Sequence, residues 1–195
     1  NNTGFSNVSI GIRSLYYNTN RSNLVAVGDS ALYNNGLGAT LPNHATKNTA
    51  LGSKALFGNT LGDDNTAVGF SALKTNTTGV NNTAVGTQAL ENFNSGFNNV
   101  AMGLDAMKNK TSGNNNVAIG TGSLLFNTNG STNTALGVDA GIGATGSDNV
   151  FLGYNAGANE TGSHKLYINN NNGNSANSLI YGEFDTDKVR VNNML

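Results

Sequence analysis

Short apolar triplets recur along the chain, separated by long polar stretches. Each triplet ends at a glycine: Gly11, Gly28, Gly52, Gly69, Gly86, Gly103, Gly120, Gly137 and Gly153. Most steps between them are 17 residues, the step from Gly28 to Gly52 is 24, and the last is 16. Directly before the glycines stand Ile10, Val27, Leu51, Val68, Val85, Met102, Ile119, Leu136 and Leu152. One position earlier the residue is Ala or Ser in every unit except at Phe151, and one earlier again it is always Val or Thr. An Asn column precedes these, from Asn7 and Asn48 to Asn133 and Asn149, broken only by Leu24. After each glycine comes a second apolar pair, such as Ala31-Leu32, Ala72-Leu73 or Ala89-Leu90, which weakens to Ala140-Gly141 and Ala156-Gly157.

A triplet such as Thr66-Ala67-Val68 places its first and third side chains on one face of an extended strand, and β-branched residues favour that conformation. The recurring glycine marks a corner, and Asn suits the turns that close each unit. One such unit cannot bury its few apolar groups, whereas stacked units pair their strands in parallel and merge the columns into one core. The pattern therefore predicts an all-β fold: a parallel β-roll or β-solenoid of about nine coils with a 17-residue period. At ~4.8 Å per coil it is a rod of roughly 40 Å. Both apolar runs of a unit read as strands, giving a flattened two-sided roll. The Asn column predicts amide ladders along the stack. A roll this thin has little interior, and the small Ala/Ser column reads as a face open to a second copy, so a side-by-side homo-oligomer is expected.

Composition narrows the function. Net charge is -1 and charged residues make up 11% of the chain, which disfavours nucleic-acid binding. There is no cysteine, hence no disulfide, thiolate metal site or thiol nucleophile. No apolar run approaches the length of a membrane span, and no membrane contact by this segment is expected. About 37 Asn and 26 Gly would read as low-complexity disorder if the repeat did not impose order. The chain starts at Asn1 rather than Met, which predicts a fragment or a processed chain, and its last residues, Asn192 to Leu195, read as a truncation rather than a natural end.

The columns Asn-Thr-Ala-Val-Gly, seen best at Asn65 to Gly69 and Asn82 to Gly86, resemble the head repeats of trimeric autotransporter adhesins (YadA-like heads) and the related repeats of trimeric tail-fibre-like proteins. The resemblance covers about residues 5 to 160. It implies a left-handed parallel β-roll, three identical chains side by side, and attachment to host surfaces, with a host glycan or protein as partner. Family head repeats are commonly shorter, so the 17-residue unit implies longer outward turns, and neither a specific ligand nor binding residues carry over.

The periodic part is assigned to residues 1–163 and a β-rich cap or adaptor to 164–195. There Lys165–Ile168, Leu179–Tyr181 and Val189–Val191 read as strands around a polar loop at 169–177. Classical chemistry is sparse. His44 and His164 are the only histidines, and neither makes a convincing base of the kind solenoid acyltransferases use. Asp63-Asp64-Asn65 is too small a set of oxygens for calcium, and no phosphate loop precedes a helix. No catalytic residue, cofactor or metal is expected. The candidate surface contacts lie on outward turns: Leu41, Asn43 and His44 in the long insertion around Gly38 to His44, which holds the only proline, Pro42, and Phe93, Phe97 and Phe126 further along. The expected function is a structural and surface-binding segment of an extracellular, trimeric fibre or adhesin. The alternatives are a monomeric solenoid binding a regular surface such as ice or polysaccharide, and a spacer in a phage or injection-system tail fibre. The alternation of Thr with Val within one column argues against ice.

Overall fold

The computed structural model describes residues 3–171 and 175–192. The middle of the polar loop expected at 169–177 and the terminal 193–195 lie outside the described residues. Each triplet is a three-residue strand: β1 Val8–Ile10, β2 Val25–Val27, β3 Thr49–Leu51, β4 Thr66–Val68, β5 Thr83–Val85, β6 Val100–Met102, β7 Val117–Ile119, β8 Thr134–Leu136 and β9 Val150–Leu152. They stack in chain order as one parallel sheet, and every residue pairs with its own column mate, as in Thr66↔Thr83, Ala67↔Ala84 and Val68↔Val85. The chain is a parallel β-solenoid of about nine turns.

The glycine closing each strand is required twice over. Gly86 has φ of 135°, and a Cβ there would lie 2.4 Å from the carbonyl oxygen of Gly103 one coil away. L-residues almost never adopt that backbone region, and the stacking distance leaves no room for a side chain.

Two expectations change. The second apolar pair of each unit is a tight turn, not a strand. Its leucines sit in the left-handed region, with φ of 51° at Leu32, 50° at Leu56, 49° at Leu73 and 52° at Leu90. Each such residue costs ~1–2 kcal/mol of backbone energy. Two things offset it: each leucine is fully buried, worth ~1.5–3 kcal/mol, and its amide bonds to the next coil, as in Leu73 N–H to Ala89 O at 3.0 Å. The turn is thus laddered from coil to coil without being a sheet.

The second change concerns direction. The Ala column is fully buried from Ala26 to Ala135 and faces the interior, where it meets the leucines; it offers no surface to a second copy. The coil is so narrow that a small side chain is what fits opposite Leu. The exception confirms the geometry. Phe151 occupies the Ala column where Gly141 and Gly157 replace the leucines, and a Cβ on either glycine would come within 2.6 Å of its ring. The single large ring fills the volume that two leucines vacate.

From Asn48 on, the Asn column forms the expected amide ladder, wholly buried. The Asn65 side chain donates to Asn48 Oδ1 at 3.2 Å, Asn82 to Asn65 at 3.1 Å, Asn99 to Asn82 at 2.9 Å and Asn116 to Asn99 at 2.8 Å. Each amide also donates to a turn carbonyl, such as Gly79 or Gly113. A second buried ladder runs through Asn35, Asn59 and Asn76, with side-chain bonds of 2.8 and 2.9 Å.

At the far end β10, Lys165–Ile168, still adds in parallel to β9, pairing Tyr167 with Phe151. The stack therefore runs one strand into the segment where the period was expected to stop. Strands β11, Ile180–Glu183, and β12, Lys188–Val191, follow antiparallel. Phe151, Tyr167 and Tyr181 form a continuous aromatic run with ring centroids 5.9 and 5.1 Å apart. The Tyr167 hydroxyl donates to Glu160, and burial together with that carboxylate pushes its pKa well up.

Candidate functional site

With Ala turned inward, the first and third residues of every strand face outward. The third position is an uninterrupted apolar column along the rod. Ile10, Leu51, Met102, Ile119 and Leu136 are 60, 46, 40, 41 and 39% exposed, and the valines between them are half-buried. The first position is Val or Thr throughout, so neither column carries a charge. One residue past the glycine, Ile12, Phe70, Leu104, Val138 and Tyr154 add exposed apolar groups beside it. Patches of this extent mark interaction surfaces, and absence of charge is typical of an interface centre.

The second feature is the insertion between β2 and β3. Arg21, from the preceding coil and only 4% exposed, reaches under it and donates to Ala39 O at 2.6 Å and Leu41 O at 2.7 Å. Gly36 makes room, since a Cβ there would meet Arg21 Cγ at 2.8 Å. Arg21 N–Hε is buried without a partner, and the guanidinium has no carboxylate partner among the described residues. The pinned loop overhangs the first coils and borders an open pocket of about 660 Å³ lined by Phe5, Arg21, Asn43 and Lys47 among others. Lys47 is mostly exposed and pairs with Asp64 at 3.5 Å. Burial and the neighbouring Asp64 raise the pKa of Asp63.

The six expected contact residues do not converge. Leu41 is 52% exposed on the insertion, Asn43 lines the cavity, and His44 is half-buried. Phe97 and Phe126 are 46 and 52% exposed but lie after β5 and β7, coils away from the insertion. Phe93 is a correction: it is fully buried. It stands in the second Asn ladder, where its ring fills the space of an Asn, so it cannot touch a partner. Asn65, weighed as a cation ligand, is committed to the first ladder on both sides, and no cluster of three or more His, Asp or Glu exists among the described residues.

Reasoning from sequence missed Arg21 and Lys110. Lys110 occupies the second ladder fully buried, and its Nζ donates to Asn127 Oδ1 at 3.0 Å and Gly130 O at 2.5 Å. Burial pushes its pKa down to about 7. The signal was present: Asn stands seven residues after the glycine at Asn18, Asn35, Asn59, Asn76 and Asn127, and Lys110 is the cation in that column.

No helix among the described residues is long and apolar enough to cross a membrane. Comparison with known proteins returns no match to a protein family, a curated protein or a solved structure.

Proposed function

We propose that this chain is a structural and surface-binding segment of an extracellular fibre or adhesin, assembled as three copies side by side. The reading is supported chiefly by the two outward, uncharged columns of the sheet, one Val or Thr and the other apolar in every coil. They run the length of the rod without a charge, and the interior behind them is already filled, so they find apolar partners only on another chain. A rod whose every coil repeats the same face pairs with copies of itself in register, the arrangement that the trimeric-adhesin resemblance implies. This reading moves the contact from the Ala column to the columns flanking it.

Attachment falls to the outward turns, where length and composition vary from coil to coil while the strand columns do not. The insertion with Leu41, Asn43 and His44 and the exposed Phe97 and Phe126 are the contact candidates. Light scattering on the purified chain should give three times the 20.0 kDa monomer mass. A clean monomer would remove the main support.

A further inference from the structure

The insertion is the largest departure from the repeat, and Arg21 is the residue that pins it. A guanidinium that is 4% exposed and lacks a carboxylate partner is costly to keep. Here two backbone carbonyls hold two of its N–H groups, while N–Hε remains unpartnered. Three of its five donors are therefore not used by the loop, and its full positive charge is unanswered. The cavity wall contains a second cation, Lys47, and no acidic side chain, and Lys47 is already balanced by Asp64. The unbalanced charge at this wall thus belongs to Arg21, and an anion is its natural complement.

The rest of the wall describes what carries that anion. Asn20, Asn23 and Asn43 contribute amides that both donate and accept, matching ring hydroxyls, and Phe5 and Pro42 contribute apolar faces suited to ring C–H groups. The volume of about 660 Å³ falls within the ~300–1,000 Å³ usual for small-ligand sites. On the attachment reading above, on which this rests, we propose that the insertion pocket binds an acidic sugar, a saccharide whose carboxylate pairs with Arg21. The pocket is a specificity element of the fibre: hydroxyl contacts hold the ring and the guanidinium selects the charge.

The test uses the intact chain on an array of carboxylated oligosaccharides, each beside its carboxyl-reduced counterpart, followed by titration of the best binder. Binding is expected to carboxylated members only, with at least a tenfold loss on reduction and at least a tenfold loss for Arg21→Gln. Because Arg21 also pins the loop, Thr40→Trp supplies a second variant: it fills the cavity from an exposed rim position and leaves the clamp in place, and it should abolish binding. Both variants are checked for unchanged mass by light scattering. Equal binding to reduced and carboxylated sugars, binding untouched by Thr40→Trp, or no binding to any carboxylated member would each overturn the proposal. Retained binding to neutral sugars would overturn it while leaving attachment intact; a monomeric mass would instead strike the fibre reading.

Discussion

Lys110 sets the sharpest energetic test. Its ammonium is fully buried in a column that carries Asn in five other coils, facing carbonyl oxygens and no carboxylate. Burial lowers its pKa from 10.5 to about 7 in the folded chain. Between those values the unfolded chain binds the proton and the folded one does not, so stability rises with pH. The penalty is full below pH 7, falls by ~1.4 kcal/mol per pH unit above it, and is gone above pH 10.5. The difference corresponds to about 5 kcal/mol at most. Lys110→Met keeps the volume and removes the charge; Gly130 O keeps the Asn116 amide as a donor at 3.1 Å, while Asn127 Oδ1 loses the ammonium at a cost of ~1–3 kcal/mol. The variant should be more stable than the parent by ~1–3 kcal/mol at pH 7, with that advantage shrinking toward pH 10. The assay is urea unfolding of both proteins at pH 7 and 9.5 and at one protein concentration, since assembly couples to stability. The parent-minus-variant difference isolates Lys110 from other titrating groups. A Met variant that is less stable at both pH values, with a difference independent of pH, would refute this and show that the carbonyl cage holds the ammonium at no net cost.

Three further outcomes follow from the stacking. Gly86→Ala should cost at least ~2–3 kcal/mol, read by thermal or denaturant unfolding, because both its φ and its contact with Gly103 exclude a Cβ. Asn82→Ala should cost about 2–4 kcal/mol, since it strips the acceptor from the Asn99 amide and side chain; Asn92→Ala, at an exposed position outside the left-handed region, should lie within ~0.5 kcal/mol of the parent. Deleting Gly38–His44 should leave the oligomer mass unchanged by light scattering, and loss of assembly would make the insertion a structural element instead.

The coil count, the period and the register were legible because every column repeats, and a one-residue slip would have mixed the columns. The orientation of those columns was not. A three-residue strand offers one residue to one face and two to the other, and the small Ala read as a contact surface when it is the interior partner of Leu. Nothing in the letters Ala-Leu signals a leucine at φ near 50°, because that conformation is imposed by stacking and repaid by burial. Phe93, the Phe151 exchange with Gly141 and Gly157, and the clamp of Arg21 depend on which residues meet at separations of 6 to 20 positions, information that the repeat pattern does not carry.

Met102 offers the most direct test, without any substitution. It is 40% exposed on a lone chain, in the middle of the outward apolar column, whereas Met107 is fully buried in the coil interior. Oxidation by dilute peroxide, read residue by residue in mass spectra against the denatured chain, reports whether that column is covered. If sister copies lie against it, Met102 resists oxidation at assembly concentrations nearly as well as Met107. If Met102 oxidises at the rate of an exposed thioether while Met107 stays protected, the coils stack as described but the face is bare, and the fibre account fails.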